Sequence, residues 1–184
     1  MNDYTKRTLK LLYEENWYES RSIDISESIE MLKDREYKIT ESFIDFYKKF
    51  GNLCFYFAVN ERNRKIEFNV SKSFGIDYDE VIIHIYPQMI GCEVLTLIGN
   101  IDGASILTID ENNVIYCIYD GEITCYGSEN KAIENLFNKG WREMDNCILQ
   151  PKVDLENLKT DWKYVRQKEI ENHQLFVVKY RKTV

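Results

Sequence analysis

Proline and histidine are scarce in this sequence, at two of each in 184 residues. Two histidines cannot build a histidine-rich metal site. Cysteine occurs five times, at Cys54, Cys92, Cys117, Cys125 and Cys147, without any Cys-x-x-Cys. An odd number at those spacings excludes a zinc ribbon, argues against a disulfide framework and fits a reducing cytosol. The eight glycines are scattered. The nearest approach to a phosphate loop, Gly99-Asn100-Ile101-Asp102-Gly103, lies between two strand-like runs and lacks a following Lys-Ser/Thr. It reads as a strand connection needing positive φ. No apolar run reaches the ~20 residues of a membrane helix. The polar start, Met1 to Arg7, has no signal-peptide core. The expectation is a cytoplasmic protein with no membrane contact. Basic residues are the minority, 24 against 31 acidic, for a net charge of -7. That balance opposes nucleic acid and anionic membrane as partners.

Aromatic residues are abundant: 13 Tyr, 9 Phe and 3 Trp. So many large apolar side chains exclude general disorder. A chain of this length forms one domain, with or without a short appendage, and buries enough surface to fold without staples.

The hydrophobic pattern opens helical. Leu9, Leu12 and Tyr13 share a face over 4–16. Residues 26–35 form a second helix with Ser26 as N-cap and Ile29 and Leu32 three apart. Thr40 caps a third, whose Phe43, Ile44, Phe46, Tyr47 and Phe50 keep helical spacing, with Gly51 placed for a left-handed C-cap. Period two then takes over. Residues 53–59 are a strand, the run from Glu61 to Lys65 is its joint, and residues 65–70 alternate with Ile66, Phe68 and Val70 on one face. A polar loop over 71–80 ends in Asp77-Tyr78-Asp79-Glu80. Val81 to Tyr86 reads as a strand stopped by Pro87, and Glu93 to Ile98 as one ended by Gly99. Ala104–Ile109, Val114–Tyr119 and Ile123–Tyr126 form a meander joined by Asp110-Glu111-Asn112-Asn113 and by Asp120-Gly121, a strong hairpin signal. Ser128 caps a helix through Phe137 with Ile133, Leu136 and Phe137 facing in. Beyond 140 the pattern changes: Leu155, Leu158, Trp162 and Val165 suggest a helix, with a hairpin through Trp162 to Tyr180 as the alternative, and Leu175–Tyr180 reads as a final strand. The fold class is α+β: a largely antiparallel β-sheet flanked by N-terminal helices, with one helix after the meander. Residues 1–140 make the domain, and 141–184 an extension packed on it.

Candidate chemistry is thin. A cysteine nucleophile at Cys92, Cys117 or Cys125 needs a base, and His84, flanked by Ile83 and Ile85 in a strand, reads as a packing or surface residue. Cys117 pairs with about residue 124, which leaves Cys125 out of register with it; both read as small buried hydrophobes. The 77–80 loop lacks the spacing and glycine of a calcium loop. Trp17 and Trp141 read as anchors of helix ends on the sheet, and Phe55-Tyr56-Phe57 as core rather than base-stacking platforms. The expectation is a binding protein with no enzymatic activity, cofactor or metal.

Landmarks occur in a recognisable order: Trp17-Tyr18-Glu19-Ser20-Arg21-Ser22-Ile23-Asp24; Tyr37-Lys38-Ile39-Thr40; Phe46-Tyr47-Lys48-Lys49-Phe50-Gly51-Asn52-Leu53; Leu95 to Gly99; Ile109 to Tyr116; and Tyr126-Gly127-Ser128 leading into Ala132 to Phe137. Over about residues 8–140 this resembles the SUKH superfamily, and within it the third SUKH immunity domain group. One departure is Asn16, where the family often has Gly before the first Trp. Residues 141–184 have no counterpart in the family's core pattern. The resemblance implies an α+β fold and a non-enzymatic immunity protein, or antitoxin, of a bacterial polymorphic toxin system. Such proteins bind a cognate toxin domain, often a nuclease or deaminase. It also leaves room for an adaptor or regulator on the same fold, and for a monomer or weak homodimer. The family's toxin-facing residues do not transfer by position.

Charge patterning supplies candidates instead. Residues 93–145 carry 3 basic and 10 acidic residues, and residues 146–184 carry 8 and 5. An acidic meander suits a basic partner such as a nuclease cleft. The candidate partner-binding residues are Asp110, Glu111, Asp120, Glu122, Asp77 and Asp79, although turn preference alone also accounts for acids in these loops.

Overall fold

The structure is a computed structural model that describes residues 4–59, 61–119 and 122–139. Three helices come first: α1 (Lys6–Glu14), α2 (Ser26–Lys33) and α3 (Glu41–Phe50). Thr5 and Thr40 cap α1 and α3 through their hydroxyls, which accept from Thr8 N at 3.3 Å and Phe43 N at 3.2 Å. Each cap satisfies a backbone donor that the helix itself leaves open. Phe43, Phe46, Tyr47 and Phe50 of α3 are all buried. On α1 the buried residues are Thr8 and Leu12, while Tyr13 turns out to solvent and leans on Trp17.

A hairpin follows, β1 (Cys54–Val59) and β2 (Arg62–Glu67), then two short helices, α4 (Asp79–His84) and α5 (Tyr86–Ile90). Four strands complete the sheet: β3 (Leu95–Ile101), β4 (Ser105–Asp110), β5 (Val114–Tyr119) and β6 (Glu122–Ser128), before α6 (Glu129–Asn138). The sheet has six strands in the order β1-β2-β3-β4-β5-β6, each antiparallel to the next. Residues in register share a face. Phe55, Ile66, Ile101, Leu107, Ile109 and Ile115 lie on one face, against α3 and α6. Leu97, Ile106, Ile118 and Ile123 lie on the other. β3 is buried along its whole length.

Several expectations are corrected. Val81 to Tyr86 is not a strand: Asp79 and Glu80 open a helix whose positive N-terminal end favours acids, and Pro87 sits in the first turn of the next, where its missing N–H leaves no bond unmade. His84 is therefore an exposed residue in the last turn of a helix. Ser26 is the first helical residue rather than the cap; Asp24 accepts from its N–H at 3.0 Å and its hydroxyl at 2.7 Å. Gly51 has φ -53, and the left-handed position is Asn52 at φ 63. Gly51 is glycine for space, since a Cβ there would lie 2.7 Å from Tyr47 Cδ1 and overlap Tyr47 O. Arg62 to Lys65 is strand rather than joint, because it pairs with residues 56–59. Gly99 does not end β3, which bulges between Leu97 and Gly99 and continues to Ile101. Trp17 anchors its helix end to α3 rather than to the sheet, stacked 5.9 Å from Phe50. The readings at Trp141, Trp162 and Leu175–Tyr180 lie outside the described residues.

Candidate functional site

The six candidate acids separate into three places. Asp110 and Glu111 sit at the β4–β5 turn. The Asp110 carboxylate is buried and accepts from Asn112 N and Val114 N, both at 2.8 Å, and from the Tyr116 hydroxyl at 3.0 Å. Burial raises its pKa, against the pull of those donors. Burial also tends to raise Glu111, but the N–H groups of Glu93 and Val94 outweigh it and hold the carboxyl below its ordinary range. These two acids tie β3, β4 and β5 together at one end of the sheet.

Asp77 and Asp79 form a second group. Asp77 accepts from the Tyr86 hydroxyl at 2.7 Å. Asp79 pairs with Arg35 Nη1 at 2.6 Å and accepts from the Tyr37 hydroxyl at 2.7 Å. Asp79 fastens the start of α4 to the α2–α3 connection, and Asp77 ties the loop before α4 to α5. Burial first, and the Asp79 acceptor second, push the Tyr37 phenol far above its ordinary range, so it stays a donor.

Glu122 opens β6 at the opposite end of the sheet from Asp110, about 17 Å along a six-residue strand at ~3.4 Å per residue. Asp120 lies outside the described residues. No single acidic face gathers all of the candidates.

Glu122 instead borders a cavity of about 370 Å³. Register places Arg62, Arg64, Ser105, Cys117 and Thr124 on the helix-bearing face, at the end where β1–β2, β3–β4 and β5–β6 turn. Asp102, Tyr119 and Tyr126 complete the lining. Asp102 has φ 56, the left-handed turn foreseen for the 99–103 segment. Its Oδ1 accepts from Lys65 N at 2.6 Å and its Oδ2 pairs with Arg64 Nε at 2.9 Å. Tyr126 is buried, whereas Tyr119 is 55% exposed at the rim. The mouth thus offers both charge signs and an exposed aromatic ring, over a floor of buried hydroxyl and thiol groups. None of the two arginines, Asp102 or the tyrosines stood out in the sequence. The alternation Arg62-Asn63-Arg64 is the available signal, and without the pairing with β1 it resembles a joint.

The thiol–imidazole reading gains nothing from this geometry. Burial pushes Cys117 up to about 12, and burial followed by the nearby Glu111 and Asp110 charges takes Cys92 to about 12. A nucleophilic cysteine needs the opposite shift. Cys117 stands opposite Thr124, and Cys125 opposite Tyr116, as the register argument required. Among the described residues no group of His, Cys, Asp and Glu can hold a metal, and no helix is long and apolar enough to cross a membrane.

The SUKH-3 immunity protein family matches residues 4–139, a stretch that contains all twelve elements. The chain belongs to this family. No curated protein and no solved structure matches it. Its role is accordingly that of an immunity protein.

The SUKH-3 landmarks explain themselves in physical terms. Asn16, in the place of the family's frequent Gly, has φ 61, a conformation that Asn tolerates better than most residues. Arg21 ends α3: its Nη1 donates to Lys49 O at 2.7 Å and its Nη2 to Gly51 O at 2.8 Å, satisfying carbonyls the helix cannot reach. Asp24 accepts from the N–H and hydroxyl of Ser26, the first residue of α2, and Asp110 braces the β4–β5 hairpin. These landmark residues are held by hydrogen bonds within the scaffold.

Proposed function

We propose that this SUKH-3 protein is the antitoxin of a bacterial polymorphic toxin system. It binds a cognate toxin domain of nuclease or deaminase type in the cytoplasm and blocks it by occlusion, without chemistry of its own. The observation that carries the reading is the family match over 4–139. The net charge of -7 supports it, because the cleft of an enzyme that holds a polyanion is basic and complementary fields speed encounter.

The toxin-facing surface is the end of the sheet around the 370 Å³ cavity. Tyrosine and arginine are the residue types that most often anchor interfaces, and here Tyr119, Arg62 and Arg64 stand beside the acids Asp102 and Glu122. Asp120 joins them through the sequence, two residues before Glu122. Asp110, Glu111, Asp77 and Asp79 contribute field rather than contact, since their oxygens are engaged within the fold.

Co-expression with the toxin domain encoded beside it tests the function: growth is restored and the two proteins co-purify. No rescue against any neighbouring toxin domain refutes it. Asp120→Lys with Glu122→Lys tests the surface, with weakened toxin binding and unchanged denaturation expected. Full affinity in that variant moves the interface elsewhere and leaves the function standing.

A further inference from the structure

The first strand of the sheet is an edge, and register decides which of its groups face outward. Phe68 N donates to Leu53 O at 2.9 Å, so the Leu53 carbonyl points toward β2 while its N–H turns back to Phe50 O at 3.2 Å; by alternation Phe55, Phe57 and Val59 direct their N–H and C=O toward β2. Cys54, Tyr56 and Ala58 direct theirs away. The bond from Arg7 Nη2 to Ala58 O at 2.6 Å agrees with this phase. Among the described residues nothing bonds to the outward backbone groups of Cys54 and Tyr56.

This edge lacks the usual protections. Cys54-Phe55-Tyr56-Phe57-Ala58-Val59 has no charge and no proline, and its pairing with β2 has no bulge. The Tyr56 ring is 69% exposed. A long, flat, apolar edge is a template for another strand.

The chain itself leads to the place. The end of α6 packs on β1, with the Phe137 ring 4.8 Å from Phe55 and 5.3 Å from Phe57. Asn138 donates to Thr8 Oγ1 at 2.9 Å, on the same helix that sends Arg7 to Ala58. The described chain therefore ends beside the open edge, at Lys139. Beyond Lys139 the sequence includes Leu175-Phe176-Val177-Val178-Lys179-Tyr180, a run of strong strand formers, after 35 intervening residues. That many residues can cross the width of a domain several times over.

We propose that residues 175–180 pair with β1 as a seventh strand, with the Tyr56 backbone at the centre of the new ladder. The occupant of the edge is then the chain's own C-terminal segment, and the toxin is met elsewhere.

Amide hydrogen exchange on the full-length protein, read residue by residue by NMR at two protein concentrations, tests this. The Tyr56 amide is expected to exchange at least ~100-fold slower than an unstructured amide, equally at both concentrations. Val177→Pro and Val178→Pro place a missing donor in each phase of the strand. At least one returns Tyr56 to the unprotected rate while the β4 amides stay protected. The proposal is overturned by an unprotected Tyr56 in the unmodified chain, or by protection that survives both substitutions. Protection that grows with protein concentration assigns the edge to a second copy, and protection that requires added toxin domain assigns it to the toxin; either overturns it.

Discussion

Gly99→Ala is the substitution most sharply defined by the packing. A Cβ on Gly99 would lie 2.9 Å from Phe68 Cα and overlap Glu67 O. Both neighbours are backbone, so no rotamer change relieves the clash, and β2 must withdraw by about 1 Å to reach ordinary C···O separation of ~3.3 Å. The seam between β2 and β3 has only two registered pairs, Ile66↔Ile101 and Glu67↔Asn100. Overpacking costs about 1–3 kcal/mol, and stretching the ladder bonds adds about 1 kcal/mol each. The expected loss is about 3–5 kcal/mol out of a typical total of ~5–15 kcal/mol. At ~2–4 °C per kcal/mol for a chain of this size, Tm falls by about 10 °C. Gly103→Ala is the matched control. It has open space around it but φ +67, so only the left-handed strain of about 1–2 kcal/mol applies. Urea denaturation followed by circular dichroism measures both. If Gly99→Ala costs under about 1 kcal/mol, or less than Gly103→Ala, the close strand crossing is not what requires glycine there.

Asp110→Ala removes the acceptor of two backbone N–H groups and the Tyr116 hydroxyl, and is expected to destabilise by about 2–4 kcal/mol; the affinity of the remaining folded molecules for toxin is unchanged, whereas a selective loss of affinity would return Asp110 to the interface. Acid should unfold the protein through Glu67 and Glu111. Burial acts to raise both, yet Lys65 and Lys72 on Glu67, and the Glu93 and Val94 N–H groups on Glu111, hold them below the ordinary glutamate value. A depressed folded pKa stabilises above the unfolded value of about 4.3 and loses that contribution as pH falls below it. Asp110, raised by burial, acts in the opposite sense. The urea midpoint therefore drops between pH 6 and pH 3, and Glu67→Gln with Glu111→Gln flattens the drop; a pH-independent midpoint contradicts the assignment. Cys92 and Cys117, both pushed to about 12, resist iodoacetamide at pH 7.5 in the native protein and react once denatured. Mass spectrometry of the labelled peptides checks this, and rapid native labelling of Cys117 would show the floor of the cavity to be open and its thiol activated.

What could be read in the sequence follows from how local each signal is. The meander from Ser105 to Ser128 and the helix after it were legible because period two, turn residues and a cap all agree over short spans. Val81 to Tyr86 was not legible from its own residues, since a short run of β-branched apolar side chains suits a buried helix as well as a buried strand. The deciding residues flank it: Asp79 and Glu80 before, Pro87 after. Gly51 and Gly99 are glycines for space rather than for φ, a distinction set by Tyr47 and Glu67 and so invisible along the chain. The candidate acids illustrate the same limit. Charge counting found the acidic stretch, but only geometry separates Asp110, which is bonded three times over, from Glu122 at a cavity mouth. Arg64 reaches that cavity through pairings with β1 and a contact with Asp102, 38 residues away.

The strand order has a kinetic meaning as well. Every strand pairs with its neighbour in sequence, so most ladders close over connections of a few residues; the exception is the joint from β2 to β3, which spans 27 residues and gains two registered pairs. Short-range closure lowers the entropic barrier to strand pairing. The β3–β6 meander with α6 holds the short-range closures, and the β1–β2 hairpin joins it through the one long connection within the sheet. The closure of longest range is the clasp between the chain's start and α6, where Tyr4 donates to Asn130 and Thr5 reaches Glu134, over separations of 126 and 129 residues, and it carries the largest loop-closure entropy.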